Sequence, residues 1–274
     1  MEEADKVIDI EKEFRNSNSG FLKSLPGFIV KRIEKIIRQD EMNAAINENR
    51  NKTGVSFLNN VLKDWNVTVK INGEENIPSS GRFVFAANHP LGVIDAMSFF
   101  NLIYKFYPEI ITPSNELLDR IPNLKPLLLG INVFGKNTRE TTEKLNELFE
   151  SDVQVMMFPS GEVSRRKKGV ISDPVWQKSF ITKAIQYKRD IIPVHISGRN
   201  SNLFYIVANL RKFLGIKMYI ETLLLPREMM KQRNSSVTLT IGRVIPYQTF
   251  TKEESHWEWT QVVKEIVNKL SNEN

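Results

Sequence analysis

From Arg82 onward, short apolar runs of strand length alternate with stretches that carry apolar residues at helical spacing. Residues 83–87, 131–134, 153–158, 191–197, 218–225 and 237–241 form the runs, rich in Val, Ile, Leu and Phe. A strand buried on both faces reads as a continuous apolar run, whereas a covering helix shows one apolar stripe every 3.6 residues. The pattern therefore predicts an α/β fold, a mixed sheet flanked by helices. Those helices are expected over residues 96–106, 138–150, 175–187 and 201–213. A last amphipathic helix begins near His256 and carries Val262, Val263, Ile266, Val267 and Leu270.

The residues before this alternation read differently. Ile29, Val30, Ile33, Ile36 and Ile37 recur at helical spacing, with Lys31, Arg32, Lys35 and Arg38 on the other face, so residues 21–38 predict a basic amphipathic helix starting near Pro26. Such a helix either packs on a core or lies on an anionic lipid surface. The division expected is a helical, membrane-associating region over residues 1–65 and a catalytic domain over residues 66–274. The net charge of +6 across 274 residues favours an anionic contact of some kind. No run reaches the ~18 apolar residues of a spanning helix, since Lys105, Arg211, Lys212 and Lys217 interrupt the most hydrophobic regions. Residues 1–13 are charged and lack the apolar core of a secretory signal, so the expectation is a cytoplasmic protein, peripheral on the inner face of the cell membrane. With no cysteine, disulfides, thiolate metal sites and cysteine nucleophiles are excluded.

The chemistry concentrates where the first strong run stops. Phe83–Ala87 is followed by Asn88-His89-Pro90-Leu91-Gly92-Val93-Ile94-Asp95, a turn that opens a helix. Strand ends in α/β folds present loop side chains into a crevice. A histidine with a nearby carboxylate suits a general base, because the carboxylate orients the imidazole and stabilises the imidazolium formed. Read structurally instead, Asp95 caps the following helix and His89 is a satisfied turn residue.

Together with later blocks, these residues resemble the glycerophospholipid acyltransferase family, and in detail its bacterial hemolysin-labelled branch, over residues 76–246. Asn-His, a spacer and Asp form its first block; five residues, Pro90 to Ile94, stand where the family usually has four. Phe158-Pro159-Ser160-Gly161-Glu162-Val163-Ser164-Arg165 is similar to the third block, and Ile191-Ile192-Pro193-Val194 to the fourth. Gly198-Arg199-Asn200-Ser201 with Phe204-Tyr205 again resembles the hemolysin-labelled members.

The resemblance implies a lipid O-acyltransferase with His89 and Asp95 as its catalytic pair. The implied donor is an acyl thioester of acyl carrier protein or coenzyme A, with no bound cofactor or metal. A lyso-lipid hydroxyl is the implied acceptor, at an anionic membrane surface and with no nucleic-acid partner. Asn88, Lys136, Asn137, Ser160, Gly161, Glu162, Arg165 and Arg166 are the implied substrate-binding residues. Backbone N–H groups near Gly92 or Gly161 are expected to hold the oxyanion. Lys136 and Asn137 stand where the second block ends in arginine, and Ser160 and Val163 replace the third block's glutamate and arginine. In phosphate-binding members those arginines are implicated in holding the acceptor phosphate. An acylated amino-acid lipid with a free hydroxyl therefore suits this chain at least as well as lysophosphatidic acid, with Arg165 and Arg166 as substitutes. A noncatalytic lipid-surface protein of the same fold is the competing reading.

Other motifs lead less far. Gly130 to Asn137 approaches a phosphate-cradling loop but lacks its Ser or Thr, and its middle is strand-like. Ser160-Gly161 is no nucleophile elbow, because residue 158 is Phe rather than Gly. His195 and His256 lack acidic neighbours at metal-ligand spacing and read as structural, and the basic run 165–168 reads either as a solvated loop or, directly after the third block, as a contact for lipid phosphate, coenzyme A or acyl carrier protein.

Overall fold

A computed structural model describes residues 6–17, 19–132, 137–216 and 219–272. Five helices come first: α1 (Ile10–Asn16), α2 (Gly20–Lys23), α3 (Gly27–Ile37), α4 (Gln39–Glu48) and α5 (Gly54–Asp64). Strand β1 (Thr68–Asn72) and β2 (Phe83–Ala87) lead to α6 (Val93–Ile103), and β3 (Ile110–Asn115) and β4 (Leu128–Ile131) to α7 (Arg139–Glu150). Next come β5 (Gln154–Met157) and a short hairpin of β6 (Arg165–Lys167) and β7 (Val170–Ser172), followed by α8 (Ser179–Tyr187) and β8 (Asp190–Ile196). The chain closes with α9 (Asn202–Phe213), α10 (Leu225–Met230), β9 (Ser236–Ile241) and α11 (His256–Lys269).

The seven-stranded sheet has the order β1-β9-β8-β2-β5-β3-β4. Neighbours are parallel except β8 and β9, so the sheet is mixed, as the sequence pattern predicts. Every residue of β2 is buried. Phe83, Phe85 and Ala87 join the apolar core shared with α5 and α6, while Val84 and Ala86 face the second core with Phe149, Phe180 and Val263. That alternation sandwiches the sheet between helices and brings the ends of β2, β5 and β8 to one rim.

Several elements depart from the expectations. Residues 218–225 do not form a strand: Ile220–Leu224 is a 3₁₀ turn leading into α10, with residue 218 outside the described set. Pro226 lies in the first turn of α10, where a missing N–H costs nothing. Glu221 in this turn is fully buried against Arg165 and Arg211, which a sheet strand could not accommodate on its apolar face. Of the strand expected over 131–134 only Ile131 belongs to β4, and residues 133–136 lie outside the described set. The basic run 165–168 is a hairpin arm, not a free loop. In α3, Val30 and Ile37 are buried while Phe28 and Ile36 are exposed. Among the described residues no helix is long and apolar enough to cross a membrane.

Candidate active site

At the rim, β2 ends and the chain turns into α6 through Gly92, whose φ of +85° and ψ of −126° lie where side chains are strained. The turn brings His89 back over the helix start: His89 Nδ1 lies 2.9 Å from Asp95 Oδ2. The same oxygen accepts the backbone N–H groups of Leu91 at 2.8 Å and Gly92 at 3.0 Å. Asp95 is not the cap itself: α6 starts at Val93 with Gly92 as its N-cap, and Asp95, at the third position of the helix, closes the turn as well as contacting the imidazole. Of the five residues between His89 and Asp95, Pro90 to Gly92 form this turn and Val93 and Ile94 open α6. Asp95 is fully buried, and burial raises its carboxyl above the ordinary carboxylate range against the opposing pull of His89 and the two N–H groups. His89 remains 18% exposed, and its Nδ1 contact leaves Nε2 for an incoming group.

Two residues beside His89 are not among the expected site residues. Phe158, the first residue after β5, stacks on the imidazole with 4.1 Å between centroids. Asp173, buried ahead of Trp176, accepts the His89 backbone N–H at 3.1 Å, Ser164 Oγ at 2.6 Å and Trp176 Nε1 at 2.9 Å. Ser164 N–H in turn donates to the His89 carbonyl at 2.7 Å. The third block is thus bolted to the first through Asp173. An isolated Asp before proline signals only a turn in the sequence, because its partners lie as far as 84 positions away.

The expected binding residues divide into groups. Asn88 clamps the end of β8, donating to Ile196 O at 2.9 Å and accepting Ile196 N–H at 2.7 Å, so its amide is occupied by backbone. Ser160 Oγ donates to Glu162 O, and Gly161, at φ +62°, donates its N–H to Phe158 O. The Leu91 and Gly92 N–H groups are bonded to Asp95 and that of Gly161 to Phe158 O, so an oxyanion donor near Gly92 or Gly161 would be another N–H of these turns. Arg165 is enclosed: its Nη2 lies 3.1 Å from Glu221 and 3.4 Å from Glu162, and it stacks over Phe204. Arg211 Nε lies 2.9 Å from the other Glu221 oxygen, a charge contact without an aligned hydrogen bond. Arg166 instead reaches Asn202 Oδ1 at 2.6 Å over the ring of Tyr205. Asn137 is exposed and accepts Asn132 N–H, after β4 and three strands from β2, roughly 14 Å at usual strand spacing. Lys136 lies outside the described residues.

A family model described as acyltransferase matches residues 14–273 of the chain. The chain belongs to this acyltransferase family. Two curated relatives agree with it in length: a protein of Bacteroides thetaiotaomicron named lyso-glycine lipid O-acyltransferase is 41% identical over 96% of this chain and 97% of its own. A protein of Phocaeicola vulgatus with the same name is 40% identical over 96% of this chain and 95% of its own. A crystal structure of the 1-acyl-sn-glycerophosphate acyltransferase PlsC from Thermotoga maritima aligns at 18% identity and a TM-score of 0.44, over 96% of this chain and 87% of that one.

Two further features of the acyltransferase lie near or apart from this rim. His195 on β8 is largely buried with Nδ1 unpartnered, and burial lowers its pKa while the Asp173 charge opposes the shift. A cavity of about 180 Å³ between α4 and α5, lined by Trp65 and Arg233 among others, shares no residue with the His89 site. Among the described residues, no cluster of three or more His, Asp or Glu could hold a metal ion.

Proposed function

We propose that the chain transfers a fatty acyl group from a thioester of acyl carrier protein or coenzyme A to the hydroxyl of a lyso-lipid, with His89 as general base. The observation that carries this is the 2.9 Å contact between His89 Nδ1 and buried Asp95, which commits one ring nitrogen to the carboxylate and leaves Nε2 to accept a proton. The acceptor oxygen attacks the thioester carbonyl carbon as Nε2 takes its hydrogen. Collapse of the tetrahedral intermediate breaks the carbon–sulfur bond, and the leaving thiolate recovers the proton, giving ester and free thiol. The thioester is already activated, so no acyl-enzyme is needed. Phe158 holds the imidazole plane, and Ser160, Gly161 and Glu162 follow it as the wall against which the substrates lie.

An amino-acid lipid with a free hydroxyl is the acceptor favoured here. The relatives that match nearly the whole chain carry the name lyso-glycine lipid O-acyltransferase. The departures at Ser160 and Val163, together with the enclosure of Arg165 by Glu221 and Glu162, argue against a phosphate site of the usual family kind. Substrates of this kind partition into bilayers, and residues 1–65 are the proposed membrane-associating region, through α3 with its exposed Phe28 and Ile36. A second face is offered by α9, where Leu203, Ile206, Leu210 and Phe213 are exposed along one stripe. Both helices flank the 220–230 segment. The proposed location is the inner face of the cell membrane.

Purified protein incubated with labelled acyl thioesters and lyso-lipids is expected to release thiol and form acylated product, and His89→Ala to abolish both. Thiol release unaffected by His89→Ala would remove the general base, and lipid binding without any transfer would favour a noncatalytic lipid-surface protein.

A further inference from the structure

We infer that Arg166 and Arg199 form a clamp for the carboxylate headgroup of the acyl acceptor; this rests on the reading of the chain as a lyso-lipid acyltransferase at His89. The two guanidinium groups come from separate elements, β6 and the turn before α9, yet both donate to one neutral oxygen. Arg166 Nη2 lies 2.6 Å and Arg199 Nη2 2.7 Å from Asn202 Oδ1. Arg166 also lies over the Tyr205 ring with 4.9 Å to its centroid, and the Tyr205 hydroxyl accepts Asn200 N–H at 3.1 Å.

Two like charges sharing a single neutral acceptor repel each other, and among the described residues neither makes an ion pair. Nearby cations differ. Arg165 and Arg211 are paired with buried Glu221, while Glu228 of α10, buried against the start of α9, is already taken by Ser201, Arg227 and Lys231. The remaining charge at Arg166 and Arg199 therefore calls for an anion from outside. Two planar forks match the two oxygens of a carboxylate. An amino acid acylated on nitrogen retains that carboxylate.

Both arginines are tethered to the His89 turn. Arg166 stands two residues, at most about 7 Å of chain, after Ser164, whose N–H bonds the His89 carbonyl. Arg199 precedes Asn200, whose Nδ2 donates to Pro90 O at 3.1 Å. A headgroup held by the pair is thus positioned relative to the general base by hydrogen bonds to that same turn. Specificity for the acceptor would then come from the hemolysin-like Gly198-Arg199-Asn200-Ser201 segment rather than from Arg165.

The test compares an N-acyl amino-acid lyso-lipid bearing a free carboxylate with its methyl ester, in the full-length protein and in Arg166→Gln, Arg199→Gln and the double variant, each checked for folding by circular dichroism. Binding of the free acid and the ester is measured in parallel on His89→Ala protein with and without the two substitutions, where turnover plays no part. Loss of a charge-assisted hydrogen bond weakens binding by about tenfold or more. The full-length protein is expected to prefer the acid by about that factor, mainly through KM, and the double variant to lose the preference. Equal use of acid and ester by the unaltered protein, or a preference that survives in the double variant, overturns the clamp. A preference for lysophosphatidic acid that disappears in the double variant would overturn the carboxylate assignment in favour of a phosphate. If neither lipid is acylated but the binding preference is present and lost with the arginines, the clamp stands and the acyl-transfer reading fails.

Discussion

Asp95 Oδ2 accepts from His89 and from two turn N–H groups, so its carboxylate acts on the ring and on the backbone together. Asn at this position keeps an acceptor for the turn but can also present N–H to Nδ1, which places the ring proton on Nε2 and disables the base. Asp95→Asn is therefore expected to lower kcat about 10²-fold or more with a small change in unfolding midpoint. Retained turnover with lost stability would leave Asp95 as a turn residue only. The raised carboxyl of Asp95 also has a pH consequence. In the window between its ordinary value of 3.8 and the raised folded value, the native state holds more protons than the unfolded chain, so stability falls as pH rises through the window. Denaturant titrations across acidic pH should show a flatter profile for Asp95→Asn than for the unaltered protein; parallel profiles would contradict the shift. Asp173 gathers three donors from separate segments. Asp173→Ala strands them in a buried site and should cost about 2–4 kcal/mol in stability, read from chemical unfolding, with a change under 1 kcal/mol counting against its role as the bolt between blocks.

At the scale of elements, Arg189 is the joint between α7 and the sheet. Fully buried, it donates to the carbonyls of Leu148, Phe149, Ser151 and Val153, which satisfies the end of α7 and the entry to β5. Burial lowers its pKa to about 10, leaving it charged at neutral pH. Arg189→Met removes those bonds and should destabilise by about 3 kcal/mol or more; thermal unfolding within a degree or two of the unaltered protein would disprove this. The legible elements were those buried on both faces, such as Phe83–Ala87, because uniform burial leaves a continuous apolar run. β1 is not legible in the sequence, since Thr68, Lys70 and Asn72 give an edge strand too polar to stand out. β3 is hidden because Pro113 argues against a strand interior. The sheet tolerates it where pairing to β5 has ended at Ile111 and only β4 continues alongside. Pro193 in β8 uses the same device, since the ladder to β9 begins at Val194. The site follows the same rule: His89 and Asp95 are six residues apart and readable, whereas Asp173 and Asn200 reach the His89 turn only through tertiary pairing.

For the whole molecule, the chemistry proposed requires contact with a bilayer, and two faces could provide it. α3 presents Lys31, Arg32 and Lys35 beside exposed Phe28 and Ile36, while Val30 and Ile37 anchor it to the protein. α9 presents Leu203, Ile206, Leu210 and Phe213, with Phe213 86% exposed, and carries Arg211 and Lys212 in its last turn. Basic side chains near an anionic surface contribute about 1 kcal/mol each, so Lys31→Glu, Arg32→Glu and Lys35→Glu together should weaken vesicle binding by two orders of magnitude or more, about 1.4 kcal/mol per decade. Raised salt should weaken it too, because such charges are screened within ~10 Å at 0.1 M. Apolar insertion by α9 is not screened in this way, so Leu210→Ser with Phe213→Ser should remove the salt-resistant part. These exposed positions lie outside the three apolar clusters, including the one that α9 forms through Phe204 and Tyr205, and the substitutions are expected to leave the fold intact. Co-sedimentation with anionic vesicles at low and high salt separates the two faces, with circular dichroism confirming folding. If the charge-reversed protein sediments like the unaltered one at low salt, α3 is ordinary packing; if the α9 variant keeps its salt-resistant binding, the apolar stripe lies off the membrane.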